Sequence, residues 1–346
     1  MSIRIYNTLT RQKEELIPLR NDEVTIYSCG PTVYNYIHIG NARSFVMADV
    51  IRRYLEHCGY HVRFVMNITD IDDKIIKKAI ESGLEPSDVA NLYTEAFFED
   101  IARLGIRMPD VTPRVVDHIE AIIQLIQTLI LKGYAYETGG NVYFNVNKFA
   151  GYGKLSGKNI EDLQAGARVE VDENKKNPLD FALWKAAKPG EPAWDSIWGK
   201  GRPGWHIECS VMSMQHLGDQ IDIHCGGSDL IFPHHENEIA QSEAATGHQF
   251  VKYWLHFGFL NVNNEKMSKS AGNFWLVRDI LKQYRPEVLR IFFLQKHYAS
   301  PLNFSEENLN DAMTAHRRLE ATFLKVQQAL DLRDQLGGNV GRDTVT

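Results

Sequence analysis

The feature that most constrains the fold is a strand, a helix and a second strand near the start of the chain. Val24–Ser28 and His61–Ile68 are apolar stretches that each predict a buried strand. Between them, apolar residues recur every three or four positions from Asn41 to His57, which predicts a helix with Asn41 as its N-cap. Such a unit makes its two strands parallel. We therefore predict an α/β fold whose parallel sheet binds a ligand beside the loop after its first strand.

The rest of the chain interrupts this pattern once and then resumes it. Residues 136–203 are rich in Gly, Lys and Asn and predict an insertion. The strand Gln220–His224, a helix over His234–Ala245 and a strand near Tyr253–Phe259 then continue the parallel sheet. From Leu276 onward the pattern predicts helix.

Composition limits the class of protein. The chain has 346 residues, 44% of them hydrophobic and 24% charged, as expected of a globular protein with two or three domains. The first residues lack the apolar core of a signal peptide, and the longest apolar stretch, Ala121–Leu131, is interrupted by Gln124 and Gln127. We expect a cytoplasmic protein with no membrane contact. A net charge of −6 argues weakly against nucleic-acid binding, but it does not exclude a local basic patch.

The four cysteines, Cys29, Cys58, Cys209 and Cys225, are few and far apart, so a disulfide framework is not expected. Metal binding or simple burial remain. Cys29, Cys209, His234 and Glu238 together offer two thiolates, an imidazole and a carboxylate, a donor set that suits Zn²⁺ if the loops above the sheet meet.

Other assignments of the same residue types stay open at this point. His206 with Cys209, and His235 with Glu236, are competing ligand pairs. Buried cysteines beside a histidine pair at a helix start would explain the pattern without any metal.

The second candidate site is the stretch His38–Asn41, where a strand is followed by a helix. A helix N-terminus favours phosphate, Gly40 permits close approach of a nucleotide, and His38 can donate to phosphate oxygens. By itself a histidine there is usually a surface or capping residue. The sequence KMSKS at 266–270, with two lysines in a small-residue loop, suits a leaving pyrophosphate.

Together, HIGN and KMSKS resemble the two signature motifs of the class I aminoacyl-tRNA synthetases, although Asn41 replaces the usual histidine. The resemblance implies that His38, Lys266 and Lys269 act on the phosphates. It also implies that ATP, with Mg²⁺, is bound by the residues of both motifs: His38, Gly40, Asn41, Lys266, Ser268 and Lys269. The motifs of dinucleotide-binding and P-loop proteins do not occur at these sites.

Longer segments are similar to the cysteinyl-tRNA synthetase family: SCGPTVYNYIHIGNARSF, TDIDDKI, GARVEV, DFALWK, GRPGWHIECS and FPHHENEIAQSE. In that family the zinc ligands match Cys29, Cys209, His234 and Glu238. Cys58 is expected to pack on the first helix. Cys225 departs from the family, which usually has glycine there, and could crowd the floor of the site; Ile197 stands for the usual proline.

The resemblance implies cysteine–tRNA ligation, with L-cysteine, ATP and tRNA(Cys) as substrates and one Zn²⁺ that selects the thiol. An oxygen analogue of cysteine differs by one atom, and a soft thiolate binds zinc where a hydroxyl cannot match it. Trp205 and Asp229 are candidate contacts to the amino acid, and Thr69 and Asp70, at the end of the second strand, are further candidates. One rival is a related ligase that joins activated cysteine to an amino sugar. Another is a non-catalytic relative that binds nucleotide or tRNA.

The expected architecture is a Rossmann-like catalytic domain with an inserted connective subdomain and a mostly helical region after it. The expected boundaries are 1–118 and 204–258 for the two halves of the catalytic domain, 119–203 for the insertion, 259–305 for the junction that holds KMSKS, and 306–346 for the start of a helical bundle. The family continues into an anticodon-binding domain, so we expect a truncated and monomeric chain.

Overall fold

The computed structural model describes residues 2–159, 174–263, 265–266 and 274–335. In the first half these elements follow one another: β1 (Arg4–Asn7), β2 (Gln12–Glu15), β3 (Glu23–Ser28), α1 (Ile39–His57), β4 (His61–Met66), α2 (Asp73–Ser82), α3 (Pro86–Arg103), α4 (Ile119–Leu131), β5 (Ala135–Thr138) and β6 (Asn141–Phe144). In the second half they are β7 (Phe181–Ala186), β8 (Gly201–Pro203), α5 (Trp205–Leu217), β9 (Ile221–Gly227), α6 (Glu236–Thr246), β10 (Val251–Phe257), β11 (Leu260–Val262), β12 (Glu265–Lys266), α7 (Val277–Ile280), α8 (Pro286–Leu294), β13 (Leu302–Phe304) and α9 (Glu306–Gln335).

The central sheet has four parallel strands in the order β10–β9–β3–β4. Ile26 of β3 pairs with Phe64 and Ile223 in the neighbouring strands, and all three belong to the core on the α1 side. The next residue, Tyr27, belongs with Val65 to a second core on the side of α5 and α6. Because both faces are covered, the strands read as continuous apolar runs. The predicted α/β fold with a parallel sheet is confirmed.

The start of α1 differs in detail from the prediction. The N-cap is His38, and Asn41 is the third residue of the helix. The ring Nδ1 of His38 accepts a hydrogen bond from the Asn41 amide at 3.2 Å, and the Asn41 side-chain oxygen accepts one from the His38 amide at 3.3 Å. The assignment of Asn41 as N-cap was wrong because an asparagine can also close this reciprocal pair from inside the first turn.

A second sheet is antiparallel, with the order β5–β6–β7–β8. Its described strands all fall within the predicted insertion, after α4. Its inner residues pack into the core on the α5 side; Val142, Phe144 and Trp184 are fully buried there. The domain boundaries expected from the sequence stay a prediction.

The segment after 276 is not helical throughout. Leu302–Phe304 forms β13, which pairs in parallel with β11. Leu302 and Phe304 are buried on one side of it, the period of two that a strand requires. Helix periodicity on either side hid this short strand. Among the described residues, no helix combines the length and apolar character needed to cross a membrane.

One buried cation joins α1 to the end of β10. Arg43 is 1% exposed, and its guanidinium donates to the carbonyl oxygens of Gly258 at 2.6 Å, Phe259 at 3.1 Å and Ser300 at 2.7 Å. Burial lowers the pKa of Arg43 to about 10. These bonds hold the segment that follows β10 against α1, whose N-cap is His38.

We predict that Arg43→Met destabilises the protein by about 3–5 kcal/mol, because the methionine leaves three carbonyl groups without their charged donor. The matched control is Arg20→Met, whose side chain is 63% exposed and pairs with Glu23 alone. It should cost about 0–1 kcal/mol. Chemical denaturation of the three proteins measures both values, and an equal loss in the two variants would contradict the prediction.

Candidate active site

The candidate site lies above the carboxyl ends of the parallel strands. Cys29 follows β3 directly, Thr69 comes shortly after β4, and Asp229 follows β9. A cavity of about 620 Å³ opens at this edge. Its lining includes Cys29, His38 and Asp229 from the predicted set, so the loops that the sequence separates do converge there.

The four predicted ligands form one cluster. One donor atom from each of Cys29, Cys209, His234 and Glu238 lies within 4.8 Å of all the others. The two sulfur atoms are 4.0 Å apart, Cys29 Sγ is 3.9 Å from Glu238 Oε1, and that oxygen is 3.0 Å from His234 Nε2. A tetrahedral zinc with sulfur ligands has a sulfur–sulfur edge of about 3.8 Å. The spacing and the donor set therefore fit this metal.

The elements behind the ligands explain their convergence. The Cys29 amide donates to the Cys225 carbonyl at 3.2 Å, which continues the sheet by one residue past β3. Cys209 lies near the start of α5, which packs across β3 and β4. His234 lies in the turn Ile231–His235, and Glu238 follows four residues later in α6, on the same face.

A second cluster shares two of these residues. Cys29, His224, His235 and Glu238 also place one donor atom each within 4.8 Å. His235 Nε2 is 3.2 Å from Cys29 Sγ, and His224 Nε2 is 2.9 Å from Glu238 Oε2. The buried histidines therefore surround the predicted ligand set, and the assignment of ligands stays a prediction.

The competing pairs from the sequence are placed differently. His206 Nδ1 lies 2.9 Å from His234 Nδ1, on the side of that ring away from Glu238. The Glu236 carboxylate accepts from the amides of Leu155 and Ser156. It therefore anchors the loop at residues 155–156. Neither donor cluster of the described residues includes Glu236.

Charge is unevenly distributed over the cluster. The hydrogen bond with Cys29 lowers the pKa of Cys209 to about 6, while burial raises the pKa of Cys29 well above its usual value. Against the effect of burial, His224 and His234 lower the pKa of Glu238 to about 2. Against burial again, Glu238 raises the pKa of His234 to about 10. A proton on His234 thus balances part of the negative charge of the cluster. A divalent cation bound among these ligands would balance that charge more strongly.

The other predicted substrate contacts are split by the structure. Trp205, 38% exposed, lines the cavity with its ring 4.2 Å from that of His234, and Asp229 lines it beside Gly227. Thr69 is buried; its hydroxyl donates to Glu208 at 3.4 Å and accepts from Asn67 at 3.2 Å. Thr69 is not among the residues that line the cavity.

Asp70, which was also predicted as a candidate substrate contact, interacts with other residues of the protein. Its carboxylate pairs with Arg114 at 2.8 Å and accepts from the Val115 amide at 3.0 Å. These contacts give it a structural role at the end of β4.

The nucleotide motifs are described in part. His38, Gly40 and Asn41 line the cavity at the start of α1. Strand β12 ends at Lys266, but the side chain of Lys266 and all of Ser268 and Lys269 lie outside the described residues. The roles predicted for them stay predictions. The segment GARVEV at 166–171, which resembles the cysteinyl-tRNA synthetase family, also lies outside the described residues.

The two remaining cysteines behave differently from each other. Cys58 is exposed and caps the end of α1, so the prediction that it is a packing residue on the first helix was wrong. Cys225 is buried in β9 beside Ser28, and burial raises its pKa to about 12. Neither belongs to a donor cluster of the described residues.

Sequence reasoning missed several residues of the site. Lys74, Tyr34 and Phe274 line the cavity, and Asn67 supports it from below: the Gly30 amide donates to its side-chain oxygen at 2.9 Å. Lys74 and Asn67 both flank the end of a predicted strand, the position that could have singled them out.

Comparison with known proteins identifies the family of the chain. The family model described as the catalytic domain of class I (C) tRNA synthetases matches residues 15–314. The cysteine–tRNA ligase of Geobacillus thermodenitrificans is 60% identical over 340 residues, which are 98% of this chain and 73% of that protein. That of Pyrococcus furiosus is 64% identical over 307 residues, 89% of this chain and 64% of that protein.

A solved structure supports the fold. The methionyl-tRNA synthetase of Mycobacterium tuberculosis, in complex with methionyl-adenylate, superposes with a TM-score of 0.66 at 17% identity, covering 84% of this chain and 67% of that one. The fold is that of a class I tRNA synthetase catalytic domain. Within that class, the chain belongs to the cysteine–tRNA ligase family, as its sequence predicts, and it is therefore an aminoacyl-tRNA synthetase.

We predict that Gly30→Ala displaces the loop that carries Cys29. A β-carbon at Gly30 would lie 1.6 Å from the Asn67 carbonyl oxygen, so the loop or the end of β4 must move. Cysteine-dependent exchange of pyrophosphate into ATP should fall by about a hundredfold, since misplacement by an ångström has that effect. In the control, Gly151→Ala, the new carbon meets the Phe149 ring at 3.2 Å and the Lys154 side chain at 3.7 Å, both of which are side chains, so exchange should be kept. Full activity of Gly30→Ala would contradict the geometry.

Proposed function

We propose that this chain selects L-cysteine through one Zn²⁺ held by Cys29, Cys209, His234 and Glu238, activates it with ATP, and transfers it to tRNA(Cys). The observation that carries the proposal is the cluster of two sulfurs, an imidazole and a carboxylate at the edge of the cavity, with donor atoms within 4.8 Å of one another. A bound zinc supplies a soft acceptor for a substrate thiolate, which a hydroxyl cannot match.

The cavity's own residues support the position of the amino acid. The Trp205 ring stacks beside His234 and forms a wall next to the ligand cluster. The Asp229 carboxylate is suited to the substrate ammonium, and its oxygen lies against Gly227, where a β-carbon would come within 2.4 Å of it. Glycine at 227 therefore leaves room for this carboxylate at the cavity.

In the first step, a cysteine carboxylate oxygen attacks the α-phosphorus of ATP. The bond from that phosphorus to the bridging oxygen breaks, and pyrophosphate leaves. This reaction depends on positioning and charge stabilisation more than on proton transfer. His38 at the start of α1 is suited to the phosphates, with Gly40, Asn41 and the lysines of the 266–270 segment; Mg²⁺ accompanies ATP.

In the second step, a ribose hydroxyl at the 3′ end of tRNA attacks the aminoacyl carbonyl. An ester bond forms, the bond to the adenylate phosphate oxygen breaks, and AMP leaves while the hydroxyl proton passes to its phosphate or to water. The predicted insertion, 119–203, would lie beside this acceptor end. The related amino-sugar ligase would share the first step and differ in the acceptor, and membership of the cysteine–tRNA ligase family favours tRNA.

The reaction is tested by cysteine-dependent exchange of labelled pyrophosphate into ATP, followed by transfer to tRNA or to an amino sugar. We expect exchange with cysteine at least about a hundredfold above exchange with serine, because the discrimination rests on the metal–sulfur bond. We expect transfer of cysteine to tRNA and no transfer to the amino sugar. Exchange without transfer to tRNA, or transfer to the sugar, would contradict the proposal.

The metal assignment is tested by elemental analysis of purified variants. We expect one zinc per chain, a large loss of zinc in Cys209→Ser, and full zinc in Cys58→Ser, because Cys58 is exposed at the far end of α1. The serine keeps the size of the side chain but removes a thiolate ligand. Zinc retained in the first variant or lost in the second overturns the ligand set.

A further inference from the structure

One cation of the cavity belongs to neither signature motif. Lys74 lies in the first turn of α2, where the Asp72 side chain accepts from its amide at 2.8 Å. Its ammonium group lies 5.5 Å from the centre of the Tyr34 ring, and both residues line the cavity. Among the described residues of the lining, Lys74 is the only lysine or arginine.

The sheet order separates Lys74 from the predicted ATP phosphates. Those phosphates are expected near the start of α1 and near the KMSKS segment at 266–270. In the chain, that segment follows β10 and β11. Lys74 follows β4, and β4 and β10 are the two opposite edges of the sheet. Three strand spacings of 4.8 Å place these edges about 14 Å apart. Lys74 therefore reaches the cavity from the strand edge opposite β10.

The helix that carries Lys74 contacts the antiparallel sheet. Asp73, the neighbour of Lys74, pairs with Lys185 of β7 at 2.8 Å and with the buried Arg202 of β8. Arg202 also binds Glu191 at 3.1 Å. Asp73 thus anchors the first turn of α2 to the second sheet, while Lys74, the next residue, lines the cavity.

We propose that Lys74 binds a backbone phosphate of the tRNA 3′ end and positions its terminal ribose for transfer. The inference rests on the proposed function, because it needs tRNA as the acceptor. A polyanion approaching a chain of net charge −6 requires local cations. A lysine on a flexible stem offers a point charge for a phosphate without fixing its orientation. After activation, the pyrophosphate has left, and the phosphates still to be bound are those of the tRNA.

The test separates the two half-reactions. Lys74→Met keeps the apolar stem over Tyr34 and removes the charge, and Lys74→Arg restores a cation. The control is Lys77→Met on the same helix, whose side chain is 79% exposed and 3.9 Å from Glu81. Each variant is measured by cysteine-dependent pyrophosphate exchange and by single-turnover transfer from preformed cysteinyl-adenylate to tRNA below saturation.

We expect Lys74→Met to keep exchange within about twofold and to lower transfer by at least about tenfold, with recovery in Lys74→Arg and no change in Lys77→Met. The salt dependence of tRNA binding should lose about one unit of slope, the share of a single phosphate contact. An equal loss of exchange and transfer would assign Lys74 to adenylate formation and overturn the inference. Unchanged transfer, or an equal defect in Lys77→Met, would overturn it as well. If the unsubstituted protein shows no cysteine-dependent exchange, the proposed function itself fails.

Discussion

The buried guanidinium of Arg43 is the interaction on which the geometry of the site depends. It binds three carbonyl oxygens from two separate segments, at 258–259 and at 300, and it comes from the helix whose first residue follows His38. Burying a cation is costly unless its donors are satisfied. The arrangement is therefore close to all-or-none: either both segments lie against α1, or the charge is exposed. Gly258 and Phe259 line the cavity, so the hydrogen bonds of Arg43 hold the β10 side of the cavity in place relative to the start of α1.

The donor cluster shows the same dependence on a correctly assembled sheet. Cys29 and Glu238 are 209 positions apart in the chain, yet their side-chain atoms lie 3.9 Å from each other. The groups are buried, and each alone would be destabilising in an apolar interior. They become compatible only as a set, with a proton or a metal among them. Metal binding and folding of the sheet are thus expected to reinforce each other, because a preformed donor set does not exist in the unfolded chain.

Much of the fold was predictable, since apolar runs and helical spacing mark β3, α1 and β4 directly in the sequence. The convergence of Cys29 and Cys209 followed from parallel-strand logic together with resemblance to a family. Finer features escaped. An asparagine can cap a helix from either side of its first turn, so Asn41 was misassigned. Cys58 lies on the amphipathic helix pattern but falls at its end, where the side chain meets solvent. Lys74 lies in the family-like segment TDIDDKI, but only the three-dimensional cavity reveals that it belongs to the lining. The three residues of β13 are too few to show a period of two.

The exposure of Cys58 has a practical consequence. The other three sulfurs are buried or half-buried near the carboxyl edge of the sheet, whereas this one stands at the opposite end of α1. Nineteen helical residues separate it from His38 by about 28 Å. A fluorophore or spin label attached there would sit on the helix whose first turn lines the cavity, yet far outside the cavity itself. The native chain thus carries its own attachment point for following, by energy transfer or dipolar coupling, how a labelled acceptor strand arrives.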